Sequence, residues 1–150
     1  MMVVPSPSAA DRRWLLLLGV GAGGCLGTAA RASIAQAFPV LPGSFPWATL
    51  AVNLCGALAL GFLLGRLALW PDRGAYRAVR LTVGTGFLGG FTTYSTFVVE
   101  SLLLGAEARW GTALLYVVIT LIGGTAAAAV GFLAFSWRGD SSQGKGEPIS

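Results

Sequence analysis

The sequence predicts an all-α membrane protein with four transmembrane helices. Of its 150 residues 55% are hydrophobic and only 11% are charged, and the mean hydropathy is +0.73. A soluble domain of this size needs more charge to cover its surface. Four apolar runs are long enough to cross a bilayer as helices. The predicted spans are 14–38, 47–70, 80–104 and 111–137, between a short tail at 1–13 and a polar tail at 138–150 that we expect to be disordered.

The first span carries a regular series of glycines. Gly19, Gly23 and Gly27 recur every four residues, which places them on one helix face and allows close contact with a neighbouring helix. Residues 19–24 also match the dinucleotide-binding pattern G-x-G-x-x-G. That motif requires a preceding strand and an acidic residue about 20 positions later, and neither is predicted here.

Two strongly polar side chains lie within the first and second spans. Arg31 near the end of the first span is either an anchor that reaches the membrane interface or a fixed positive charge beside an anion path. Asn53 in the second span either holds two helices together or donates hydrogen bonds to an anion.

The third span is a poor lipid-facing helix because glycines and hydroxyls fill its middle. Residues 84–97 read GTGFLGGFTTYSTF. Polar groups in hydrocarbon need partners or water, so this segment should face a protein interior or a pore. We expect the helix to break near Gly89 and Gly90, which would free backbone carbonyls to pair with neighbours or to coordinate a cation.

The positive charges are distributed unevenly about the four spans. The side that holds both termini collects eight cations, and the opposite loops hold only Arg109. The positive-inside rule therefore predicts that both termini are cytoplasmic. The eight cations are Arg12, Arg13, Arg66, Arg73, Arg77, Arg80, Arg138 and Lys145.

The polar residues within the spans favour a small anion. The chain has no histidine, and no carboxylate is expected deep in a span, which excludes most hydrolytic chemistry and the usual proton relays. Hydroxyl, amide and guanidinium donors without acids suit an anion better than a cation. Tyr94 and Phe97 share a helix face and either pack in the core or present positive ring edges to an anion.

Three motifs resemble those of the Fluc (CrcB) fluoride channels. Residues 86–97, GFLGGFTTYSTF, followed by Glu100, are similar to the family's third-span signature. Residues 23–31, GGCLGTAAR, resemble its first-span motif, and residues 49–56, TLAVNLCG, its second-span motif. The resemblance covers residues 14–137.

This resemblance implies a passive fluoride exporter, not an enzyme, built as an antiparallel dimer of four-span subunits with two fluoride pores and a central sodium ion. Homodimers of the family insert in both orientations. The implied sodium ligands are the backbone carbonyls of Gly89 and Thr92. The implied ion-pathway residues are Arg31, Asn53, Thr93, Tyr94, Ser95, Thr96, Phe97, Tyr116 and Thr120.

The chain departs from the family pattern in two respects. Tyr94 stands where the pattern has phenylalanine, which adds a hydroxyl to the ring. The uneven cations favour one orientation, so we expect an oppositely oriented paralogue as partner. Two other functions stay open: a membrane assembly subunit that transports nothing, and a small multidrug-type exporter, which would need a first-span glutamate that is absent here.

Overall fold

The computed structural model describes residues 9–140, with side chains described for residues 12–134. Parts of both predicted tails, residues 1–8 and 141–150, lie outside the described residues. Within the described residues, the first helix is already present at Ala9, ahead of the predicted start at residue 14, and the last is still helical at Asp140. The elements are α1 (Ala9–Ala37), α2 (Trp47–Leu67), α3 (Gly74–Val79), a π-helical segment (Arg80–Leu88), α4 (Gly89–Phe91), α5 (Ser95–Ala106) and α6 (Trp110–Asp140).

Four stretches of the described chain are helical, long and apolar enough to cross a membrane, which confirms the predicted four-span all-α class. Three of them are single helices, whereas the third is assembled from α3, the π-helical segment, α4 and α5. The four spans are Arg12–Ala37, Trp47–Leu67, Gly74–Ala106 and Trp110–Ala134.

Helix α1 packs closely along the third span through its glycine face. A Cβ atom on Gly23 would collide with the carbonyl oxygen of Thr82, and one on Gly27 would collide with that of Phe87. Backbone therefore lies directly against backbone, as small residues permit in membranes. The predicted packing role of these glycines is confirmed.

Helix α2 packs against α6 in the same way. A Cβ atom on Gly61 would overlap the carbonyl group of Ala128, and one on Gly65 would overlap that of Phe132. These contacts recur one turn apart, so the two helices run side by side over this length. The protein thus consists of two close helix pairs, α1 with the third span and α2 with α6.

The third span changes geometry twice. Residues 80–88 wind as a π-helix in which Gly84 and Gly86 are buried, and a wider helix at such a site is often functional. The chain then leaves helical geometry at Thr92, whose φ and ψ are −76° and 157°. The predicted break exists, but it lies at residues 92–94, since Gly89 and Gly90 remain helical.

A small buried core joins α2, α5 and α6 beyond the break. Phe97 and Tyr116 lie at its centre, and the side chain of Tyr116 is 0% exposed. Most other large apolar side chains of the described spans face outward, as lipid-facing helices require. The buried members of the core are Leu50, Phe97, Leu104, Ala113 and Tyr116.

Candidate functional site

Asn53 of α2 holds the broken part of the third span. Its Nδ2 donates to the carbonyl oxygen of Thr93 over 3.0 Å, and the backbone N–H of Thr93 donates to its Oδ1 over 2.8 Å. The carboxamide thus provides hydrogen-bond partners for both the N–H and the carbonyl of Thr93, which the broken helix does not pair. Unpaired backbone groups at membrane depth are costly, so Asn53 explains why the break lies beside Thr93.

The hydroxyl of Thr93 starts the helix that follows. The backbone N–H of Thr96 donates to Thr93 Oγ1 over 3.2 Å, in the manner of an N-terminal cap. Thr93 Oγ1 in turn donates to Thr96 Oγ1 over 3.1 Å and lies 3.3 Å from Ser95 Oγ. The three hydroxyls predicted from the sequence therefore form one cluster.

These two contacts leave two carbonyl groups without their usual helical donors. In a continuous α-helix the N–H of Thr93 would donate to Gly89 and that of Thr96 to Thr92. Here the first donates to Asn53 and the second to the Thr93 hydroxyl. Gly89 itself remains helical, and Thr92 is the residue at which the chain leaves helical geometry.

A cavity of about 320 Å³ lies beside the break. Asn53, Thr92, Thr93 and Thr120 contribute polar groups to its lining, and no acidic residue lines it within the described part of the chain. Thr120 Oγ1 is buried and has no hydrogen-bond partner among the described residues.

Three aromatic rings extend from the cavity into the core. Tyr94 and Phe97 both line the cavity, with ring centroids 6.0 Å apart. Phe97 also contacts Tyr116, at 5.4 Å and an interplanar angle of 58°. Phe97 is 6% exposed whereas Tyr94 is 77% exposed, so the tyrosine projects from the surface of this single chain.

Glu100 lies where the aromatic series ends. It is half-buried and accepts a 2.8 Å hydrogen bond from Thr49 Oγ1 and another 2.8 Å bond from the Tyr116 hydroxyl. Glu100 lies toward the end of the third span, in α5, and the expectation that no carboxylate lies deep in a span stays a prediction. Glu100 follows Phe97 at helical spacing, which is the sequence signal that could have identified it.

Arg31 lies against the third span just before the break. Its Nε donates to the carbonyl oxygen of Gly90 over 3.4 Å, and Thr28 Oγ1 approaches the same oxygen at 3.4 Å. Arg31 is half-buried, so its guanidinium is directed to the protein. Of the predicted pathway residues, Asn53, Thr93, Tyr94, Phe97 and Thr120 line the cavity, whereas Arg31, Ser95, Thr96 and Tyr116 do not.

Four apolar spans, the third of them broken beside a polar cavity, are the features of a multi-pass membrane protein. The family model described as "CrcB-like protein, Camphor Resistance (CrcB)" matches residues 18–132. The chain belongs to this CrcB family.

Curated relatives carry names that state an activity for them. The chain is 51% identical over 108 residues to "Fluoride-specific ion channel FluC 1" of Cutibacterium acnes, which covers 70% of this chain and 76% of that protein. It is 46% identical over 125 residues to "Fluoride-specific ion channel FluC 2" of Symbiobacterium thermophilum, covering 81% and 99%. It is 41% identical over 118 residues to "Fluoride-specific ion channel FluC" of a Methylobacterium strain, covering 79% and 90%.

Proposed function

We propose that this protein is a subunit of a fluoride-selective channel that exports fluoride passively and protects the cell from it. The observation that carries the proposal is the acid-free cavity, in which amide and hydroxyl groups and two aromatic rings meet at the break of the third span. The names of the relatives support fluoride as the ion.

The residues of the cavity would replace the water around the ion. Asn53, Thr93 and Thr120 line the cavity, and the edges of Tyr94 and Phe97 carry the positive end of the ring quadrupole. Asn53 keeps the break open and in place through its two bonds to Thr93. Because these bonds form within the chain, the position of Asn53 does not depend on the ion.

No energy source beyond the membrane potential is needed for export. Fluoride enters cells as neutral HF at low external pH and dissociates in the cytoplasm. A potential of 100 mV, negative inside, then favours the exit of each anion by about 2.3 kcal/mol. An open, selective pathway is sufficient for protection.

The pathway would be completed by a second, antiparallel subunit. Tyr94 is 77% exposed although it lines the cavity, so a partner packed on this face would enclose the ring. The uneven cations favour a single orientation of this chain, and the partner would then be a paralogue of opposite orientation. Purification of the chain by itself tests this: an active antiparallel homodimer would contradict it.

A structural sodium ion would be held by the carbonyl oxygens of Gly89 and Thr92, joined by those of the partner. The two carbonyls have lost their helical donors, and the ion would supply positive charge in their place. Replacing sodium with N-methylglucamine should lower the melting temperature of the assembled channel. An unchanged melting temperature would contradict the sodium site.

The decisive experiment for function is fluoride efflux from liposomes that contain the purified protein, co-expressed with its paralogue where one is required. Chloride efflux from the same vesicles is the control. We expect rapid loss of fluoride and no measurable loss of chloride. Equal fluxes of the two ions, or no fluoride flux from either preparation, would overturn the proposal.

A further inference from the structure

A second cavity lies on the surface of the α2 and α6 pair. It is an apolar groove of about 370 Å³ between the two helices. All of the described residues that line it are apolar or glycine. They are Cys55, Leu58, Ala59, Phe62, Val130, Gly131 and Ala134.

The groove and the polar cavity occupy opposite faces of α2. Asn53, Gly56 and Ala57 of α2 line the polar cavity, whereas Leu58 and Phe62 line the groove. At about 100° per residue, the two sets are centred roughly 180° apart around the helix. A subunit that covers the polar cavity therefore leaves the groove facing the bilayer.

Arg66 lies at one end of the groove. It follows Phe62 by one helical turn, so it lies on the same face of α2, and its side chain is exposed. The guanidinium carbon lies 5.7 Å from the ring centroid of Trp70. This cation–π contact holds the guanidinium beside the end of the groove that is nearest to the loop after α2.

The loop after Arg66 is folded and positively charged. Trp70 stacks on Tyr76 at 4.9 Å with an interplanar angle of 11°, and Arg80 Nη1 lies 3.6 Å from Asp72 Oδ1. Residues 66–80 contain four arginines and only one acidic residue, Asp72. Tryptophan and tyrosine are typical of the headgroup level of a membrane, where clustered arginines attract anionic lipids.

We propose that the groove and Arg66 together form a binding site for one anionic phospholipid. An acyl chain fills the groove between α2 and α6, and the phosphate contacts Arg66 beside Trp70. The groove extends along α2 from Cys55 to Phe62, roughly 10 Å at 1.5 Å per residue. The surplus of positive charge in the loop selects an anionic headgroup over a zwitterionic one.

The test is native mass spectrometry of the purified protein with phosphatidylglycerol and phosphatidylcholine of identical chains. Arg66→Gln removes the charge, and Ala59→Leu fills the groove without changing charge. Each should lower retention of phosphatidylglycerol about fivefold, the factor that corresponds to about 1 kcal/mol. Arg13→Gln and Ala22→Leu, both at exposed positions on α1, are the matched controls and should leave retention unchanged.

Three outcomes would overturn the proposal. The first is that Arg66→Gln retains as much phosphatidylglycerol as wild type, or that Arg13→Gln loses as much retention as Arg66→Gln. The second is displacement of the lipid by glycerol 3-phosphate, which would indicate a site for water-borne phosphate. The third is a disulfide between the Cys55 residues of two copies in the Cys25→Ser background, which would make the groove an interface between chains. None of these readouts depends on ion flux, so they are separate from the proposed channel activity.

Discussion

Asn53 contributes to the site chiefly by hydrogen bonding to the backbone of Thr93 in the third span. Its carboxamide both donates to and accepts from Thr93, and these bonds replace those that the break removes. Glu100 is similarly paired, with one oxygen accepting from Thr49 and the other from Tyr116. At the scale of single residues, buried polar groups are therefore satisfied by specific partners, as a low-dielectric interior requires.

Asn53→Asp should lower fluoride efflux about tenfold or more. The variant keeps an acceptor for the Thr93 N–H but places a negative charge against the Thr93 carbonyl and beside the cavity. Two like charges about 4 Å apart repel by about 4 kcal/mol at an effective dielectric constant of about 20. The control is Ala108→Asp, since Ala108 has a φ of 59° that aspartate tolerates and does not line the cavity. Equal efflux from both variants and wild type would contradict the role of Asn53.

Tyr116→Phe should destabilise the protein by about 1–3 kcal/mol, because it leaves one oxygen of Glu100 without its donor. Thr49→Val removes the other donor and should cost a similar amount. The two changes act on one carboxylate, so their effects on the free energy of unfolding should not add. Urea denaturation of the two single variants and the double variant measures this coupling, and strict additivity would show that Glu100 does not connect them.

At the scale of elements, some features of the third span could be predicted from the sequence and others could not. The glycines and hydroxyls of residues 84–97 predicted a broken, interior-facing helix, and the glycines of the first span predicted its close packing. The exact position of the break could not be predicted, because it is set by Asn53 in another helix, 40 positions earlier in the chain. The pairing of Glu100 with Thr49 and Tyr116 was missed for the same reason, since it joins three helices.

Gly27→Ala should destabilise the pair formed by α1 and the third span. The added methyl would meet the carbonyl oxygen of Phe87 and the backbone N–H of Phe91, which belong to the backbone of the third span. Overpacking of this kind costs about 1–3 kcal/mol. Gly21→Ala is the matched control on the same helix, because nothing lies within 4 Å of its Cβ position.

The control variant should be stabilised slightly, since alanine is favoured over glycine in a helix by about 1 kcal/mol. Thermal unfolding in detergent compares the two. If Gly27→Ala were as stable as Gly21→Ala, the close contact between α1 and the third span would be refuted.

At the scale of the whole molecule, one chain presents a polar face and a lipid-facing surface. The polar cavity with the exposed Tyr94 ring occupies one face of α2, and the apolar groove occupies the other. The charges are unevenly distributed between the two ends of the helices. The side of the termini carries eight cations, and the opposite side carries one. Sequence alone predicted the span number and the charge bias, since both depend on composition along the chain and not on contacts.

The charge bias predicts one orientation, with both termini in the cytoplasm. A fluorescent protein fused to the C-terminus should therefore be bright, and alkaline phosphatase fused there should be inactive. A fusion at Ala108, in the opposite loop, should give the reverse pattern. Equal signals from both reporters at the C-terminus would mean that the chain inserts both ways, and an oppositely oriented paralogue would then be unnecessary.

The most direct test of the central claim, that fluoride crosses at the break of the third span, is efflux from liposomes containing the Phe97→Ile channel. The phenyl ring lines the cavity and contacts both Tyr94 and Tyr116, so its loss would remove an aromatic ring from the wall of the proposed pathway. Phe38→Ile is the matched control, because that ring is 67% exposed and lies outside the cavity. We predict that fluoride efflux falls about tenfold or more in Phe97→Ile, by analogy with the loss of other preorganised electrostatic contacts, and is unchanged in Phe38→Ile. Wild-type fluoride efflux from a folded Phe97→Ile protein would contradict the account.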